Sequence, residues 1–156
     1  MARAIKAAAR PQKPAPYESD FLAWTESQAA HLRARSFGAL DIENLAEEIE
    51  SMGRRDRRAL RNRLTILLAH LLKWSVQPEG RGGSWRGTVV EQRRRIALLL
   101  ADSPSLRQFL DETLNDAFAD ACDIVAAETG VSAGALPRTC PFTIDQALDR
   151  RFWPQA

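Results

Sequence analysis

Apolar residues recur along this chain at three- and four-residue intervals and nowhere alternate, which predicts helices throughout and no strand. Phe21, Trp24, Gln28 and Leu32 form the stripe of a first helix, with Ser19 or Asp20 as its cap, running to about Arg35. Asp41 caps a second, whose buried face is read as Ile42, Leu45, Ala46, Ile49 and Met52. At 100° per residue, Glu43, Glu47 and Glu50 stack on the flank of that face. Gly53 would fall on the same face, and a different charge regime begins at Arg54, so the expectation is a break or sharp kink there.

The third helix, about Arg54 to Ser75, carries Leu60, Leu64, Leu67, Leu71 and Trp74 on one stripe. Ile66, Leu68, Ala69 and Leu72 widen it until the second half is apolar nearly all round, the mark of a buried central helix. A turn-rich loop, QPEGRGG, leads to a fourth helix from about Ser84 to Ala101 on Trp85, Val89, Ile96, Leu99 and Leu100. Ser103-Pro104 reads as cap and first helical residue of a fifth helix, ending at Thr129 before Gly130. Its Asp111, Glu112, Asp116, Asp120 and Asp123 form a wet face. Thr143 and Gln146 make a capping box for a short last helix, after which Phe152 and Trp153 fold back as a hydrophobic clasp. The fold class is therefore all-α: a compact bundle of about five main helices plus a short C-terminal helix. Residues 1–16, alanine, proline and base without periodicity, read as a disordered arm, and 17–156 as one domain.

Net charge over the 156 residues is only +2, but its distribution is uneven. Residues 17–52 hold eight acids against two arginines, a sum of −6, whereas 54–95 hold twelve bases against three acids, a sum of +9. Residues 102–129 return to −6, seven acids against one arginine. Two cysteines, Cys122 and Cys140, supply neither a disulfide framework nor zinc spacing, so a reducing cytoplasm is expected. The basic start has no apolar core of a signal peptide, and the run Ile66 to Leu72 is too short to span a bilayer, so no membrane partner is expected.

Two constellations carry possible chemistry. His70 lies inside the apolar run of the third helix, and a buried imidazole requires a partner. Across a turn at Gly53 the nearest candidates are Glu47 and Glu50, with Glu43 and Gln92 nearby. A His–Glu hydrogen bond that satisfies itself explains this set, and no cofactor or metal is assigned. As an alternative, Glu47, Glu50 and His70 would hold a hard divalent ion, as helical bundles do, and serve a metal-dependent enzyme. The second constellation is the arginine-rich stretch, with Arg54, Arg57, Arg58, Arg61, Arg86 and Arg93 as candidate phosphate contacts of a nucleic-acid face. Against it, the acidic segments on either side would neutralise the arginines inside the bundle. No phosphate-binding glycine loop or nucleophile elbow is present.

The blocks LDIENLAEEIESMGRRDRR, LLAHLLKW, SWRGTVVEQRRRI and DSPSL and the closing FWP resemble a bacterial family catalogued as domain of unknown function 29, over about Tyr17 to Pro154. The resemblance implies a small, stand-alone, cytoplasmic helical bundle and supplies no mechanism. The expectation is an interaction or regulatory module rather than an enzyme, its partner another protein or itself.

Overall fold

The acidic helix expected from Asp41 and the arginine-rich helix expected from Arg54 are one element. The structure, a computed structural model, describes residues 17–155. The predicted arm, residues 1–16, lies outside the described residues. The α-helices are α1 (Phe21–Arg33), α2 (Ile42–Val76), α3 (Gly83–Asp102), α4 (Leu110–Thr129) and α5 (Ile144–Leu148), joined by short 3₁₀ turns. No strand occurs among the described residues, so the all-α expectation holds. None of the described helices is long and apolar enough to cross a membrane.

The expected break at Gly53 does not occur, because α2 runs through it for 35 residues. Glycine weakens a helix interior by about 0.5–1 kcal/mol relative to alanine, too little to end one supported on both sides. A Cβ at Gly53 would meet no atom within 4 Å. Gly53→Ala is therefore expected to raise stability by about 0.5–1 kcal/mol, read as a higher urea midpoint. A fall would show that this position needs glycine's freedom.

The chain divides into two compact units between Ser51 and Met52. In the first, α1 is capped by Asp20, whose Oδ1 accepts from the Ala23 amide at 3.0 Å. Arg35, at φ 56°, ends the helix in the left-handed region. Three polar contacts then fix α1 against the start of α2. Gln28 Oε1 accepts from the Asp41 amide at 2.8 Å, Trp24 Nε1 donates to Asp41 Oδ2 at 3.1 Å, and the Tyr17 hydroxyl donates to Glu48. Tyr17, Phe21 and Trp24 add an aromatic cluster with centroids 4.9–5.8 Å apart. Of the stripe read on α1, Trp24 and Gln28 are buried, while Phe21 and Leu32 are about half exposed.

The second unit has the core. Leu60, Leu64, Leu67, Leu68, Leu71 and Leu72 of α2 are buried against Val89, Ile96 and Leu100 of α3 and Leu114, Ala117, Phe118, Ala121 and Val125 of α4. Each such leucine contributes about 1.5–3 kcal/mol of apolar burial. Ser103 makes no side-chain capping hydrogen bond and does not start an α-helix. Pro104–Phe109 forms a 3₁₀ segment and α4 starts only at Leu110, while the Ser103 hydroxyl donates to Asp56 Oδ2 at 2.8 Å. Gly130, at φ 70°, closes α4 as expected. The Thr143–Gln146 capping box forms, and Phe152 and Trp153 pack on the core.

Candidate functional site: an outward apolar stripe and a set of anchored cations

In the first unit, α1 covers only one side of α2. The partly covered positions are Asn44, Leu45, Glu48 and Ser51, which share that side of the helix. The stripe one-third of a turn away, Ile42, Ala46 and Ile49 at i, i+4 and i+7, faces outward. Ile42 is 61% exposed and Ile49 63%. Of the face expected to be buried, then, only Leu45 is even half covered. Ile42, Ala46 and Ile49 are exposed, and so is Met52 of the second unit. Periodicity had fixed the stripe, but one short helix can cover only one side of another. The unit is rich in such surface, since Phe21, Leu22, Leu32 and Phe37 are also exposed. Glu43, Glu47 and Glu50, all exposed, line the flank of the outward stripe. Asp41, at the head of α2, is held below the usual carboxylate range by hydrogen bonds from Asn44 and Trp24.

The pairing of His70 with Glu43, Glu47 and Glu50 depended on a turn at Gly53, and that turn is absent. His70 Nδ1 instead donates to the Ile66 carbonyl one turn back, at 2.9 Å. Burial holds its pKa below the usual value, and the charge of Lys73 acts in the same direction. Among the described residues, no three His, Cys, Asp or Glu side chains come together in a group that could hold a metal ion. Gln92 Oε1 is buried without a protein partner.

The arginines named as phosphate contacts are largely engaged within the second unit. Arg61 Nε and Nη2 meet Asp120 Oδ2 at 3.0 and 2.9 Å, and Nη1 lies 3.8 Å from Asp116. Arg57 stacks over the Phe109 ring at 3.8 Å. Arg57, Arg58, Arg61, Phe109, Glu112, Thr113 and Asp116 line an open pocket of about 280 Å³ in which both charges are represented. Arg54 and Arg58 are exposed. Arg86 lies 5.7 Å from the Trp74 ring and 5.3 Å from that of Trp153, and the two rings are themselves 4.6 Å apart.

Two cations lie inside the core: Lys73, which sequence reasoning missed, and Arg93, which was expected to contact phosphate on a nucleic-acid face and is buried instead. Lys73 is 5% exposed, donates to Glu128 Oε2 at 2.6 Å and lies 5.1 Å over the Trp85 ring. Arg93 is 3% exposed and donates from Nε to the Ala147 carbonyl at 2.8 Å and from Nη2 to the Phe152 carbonyl at 2.9 Å. Burial lowers the Arg93 pKa, and Asp149 pulls it back up. The available signal was position. Arg93 stands three residues before Ile96 and four after Val89, squarely on the apolar stripe of α3.

No curated protein and no solved structure matches this chain. The family model described as Domain of unknown function DUF29 matches residues 16–153, nearly the whole length and the same span that the shared sequence blocks mark out, and the chain therefore belongs to that family.

Proposed function

We propose that this protein is an interaction module, and that its docking surface is the outward stripe of α2, Ile42, Ala46 and Ile49. The observation that carries the reading is the exposure of both isoleucines on a regular, well-anchored helix. Single exposed apolar side chains are ordinary, but a contiguous stripe rimmed by charge marks a binding surface. The rim also describes the partner. Glu43 stands beside the stripe and residues 17–52 sum to −6, so a complementary surface is an amphipathic helix with apolar residues at i, i+4 and i+7 and basic residues on its flank. A second copy of the chain would offer its own arginine-rich α2, but there Arg57 and Arg61 are already engaged by Phe109 and by Asp116 and Asp120. A different protein fits better.

The test uses a fluorescent helical peptide of leucine and lysine in that spacing, with its leucine–glutamate counterpart as control, titrated against the full chain. The lysine peptide is expected to bind saturably and more weakly as salt rises, and the glutamate peptide not to bind. Ile42→Asp with Ile49→Asp should abolish binding while leaving the unfolding midpoint nearly unchanged. Equal binding to that double variant overturns the reading. So does a stable dimer by light scattering that the same double variant breaks, because it would give the stripe to a second copy.

A further inference from the structure

We propose that the cavity between α4 and the chain that follows it, residues 133–140, binds a small organic acid by its apolar body and its carboxylate. The cavity measures about 420 Å³. Sites for small organic ligands run from roughly 300 to 1,000 Å³, so a whole small molecule fits.

The fold builds the cavity from two walls. On α4, Asn115, Phe118, Ala119 and Cys122 stand at i, i+3, i+4 and i+7 and share one face. After Gly130 ends that helix, Leu136 and Phe142 are buried in the core and pin the second wall at two points, and Pro137 to Cys140 between them line the cavity. Phe118 and Leu136 are buried and both cysteines half-buried, which makes the floor apolar, whereas Asn115, Arg138 and Thr139 are exposed at the rim. Cys122 and Cys140, the two cysteines of the chain, therefore meet at one cavity. Burial pushes both thiols up, so at neutral pH they add soft, apolar surface rather than charge.

The charge selects the ligand. Among the lining residues Arg138 alone is charged, and it has no ion pair or hydrogen bond among the described residues. Asn115 and Thr139 are likewise without a side-chain partner, so three polar groups at the rim remain available to a ligand. Asp123 acts on Cys122 through its charge but does not line the cavity. The pocket beside Arg57 differs in this respect, because there Glu112 and Asp116 share the lining with the arginines. A guanidinium meets a carboxylate in a planar, two-pronged bond. One such fork above apolar walls suits a monoanion with an apolar body, and offers too little charge for a phosphate.

The experiment titrates octanoate, below its micelle-forming concentration and at constant ionic strength, into the full chain. Alkylation of Cys122 and Cys140 by iodoacetamide is followed by mass spectrometry. Saturable slowing at both thiols is expected, with octylammonium protecting neither. Because both thiols line the cavity, their protection places the ligand there and not on the exposed stripe of α2. Arg138→Gln should weaken binding at least about tenfold, the loss of one charge-assisted hydrogen bond. Ala119→Phe should abolish it by filling the space. Both positions are exposed, and the unfolding temperature of each variant without octanoate is the fold control. The proposal is overturned if octanoate leaves both alkylation rates unchanged, if octylammonium protects as well, or if both variants bind like the natural chain.

Discussion

Arg93→Met is expected to lower stability by about 2–4 kcal/mol, read as a fall in the urea midpoint with little change in slope. Methionine replaces most of the aliphatic stem, so the loss reports the guanidinium rather than a cavity. Two charge-assisted hydrogen bonds disappear, those to the carbonyls of Ala147 and Phe152, at about 1.5–3 kcal/mol each. Relief from burying a charge offsets part of that, which sets the lower end of the range. The cation also lies 5.5 Å from the Trp153 ring, so the C-terminal segment should loosen first. Tryptophan emission should shift toward the red in the variant before global unfolding. Arg93→Lys should recover little, because one ammonium on a flexible stem cannot bridge both carbonyls as the planar fork does. A loss below about 1 kcal/mol would mean that the clasp holds without this arginine.

That arginine marks where the sequence stops being readable. The helices of the second unit were legible because each presents one unbroken apolar stripe to a shared core, and their caps follow local chemistry, as at Thr143 and Gly130. Arg93 occupies an apolar position on such a stripe, and only the path of the chain after α5 explains it, since its acceptors lie 54 and 59 residues away. Backbone carbonyls leave no trace in a sequence. Gly53 failed for the opposite reason. The residue type is a real local signal, but its cost of about 1 kcal/mol is small beside the helix on either side of it. With no turn there, the expected glutamate partners of His70 fell away, and a helix carbonyl accepts the ring N–H instead. The stripe from Ile42 to Ile49 was seen correctly as apolar and assigned wrongly as buried, because a hydrophobic period says which residues seek cover and not whether this chain supplies it.

The sharpest check on that distinction is a pair of truncations on α2. Leu68→Ala is expected to cost about 2–5 kcal/mol, because the side chain is fully buried in the leucine-rich half of the helix and its removal leaves a cavity that close-packed neighbours fill only in part. Ile49→Ala removes a comparable aliphatic side chain from the same helix but is expected to stay within about 0.5 kcal/mol of the natural chain. The better helix propensity of alanine acts in its favour, and almost no contact is lost. Urea titrations of the two variants side by side decide the matter. A cost for Ile49→Ala approaching that of Leu68→Ala would show the isoleucine covered in the free protein, and the stripe would then be core rather than docking surface. A wide gap leaves Ile42 and Ile49 as apolar residues that give the free fold almost nothing, and their energetic role then falls to whatever docks on them.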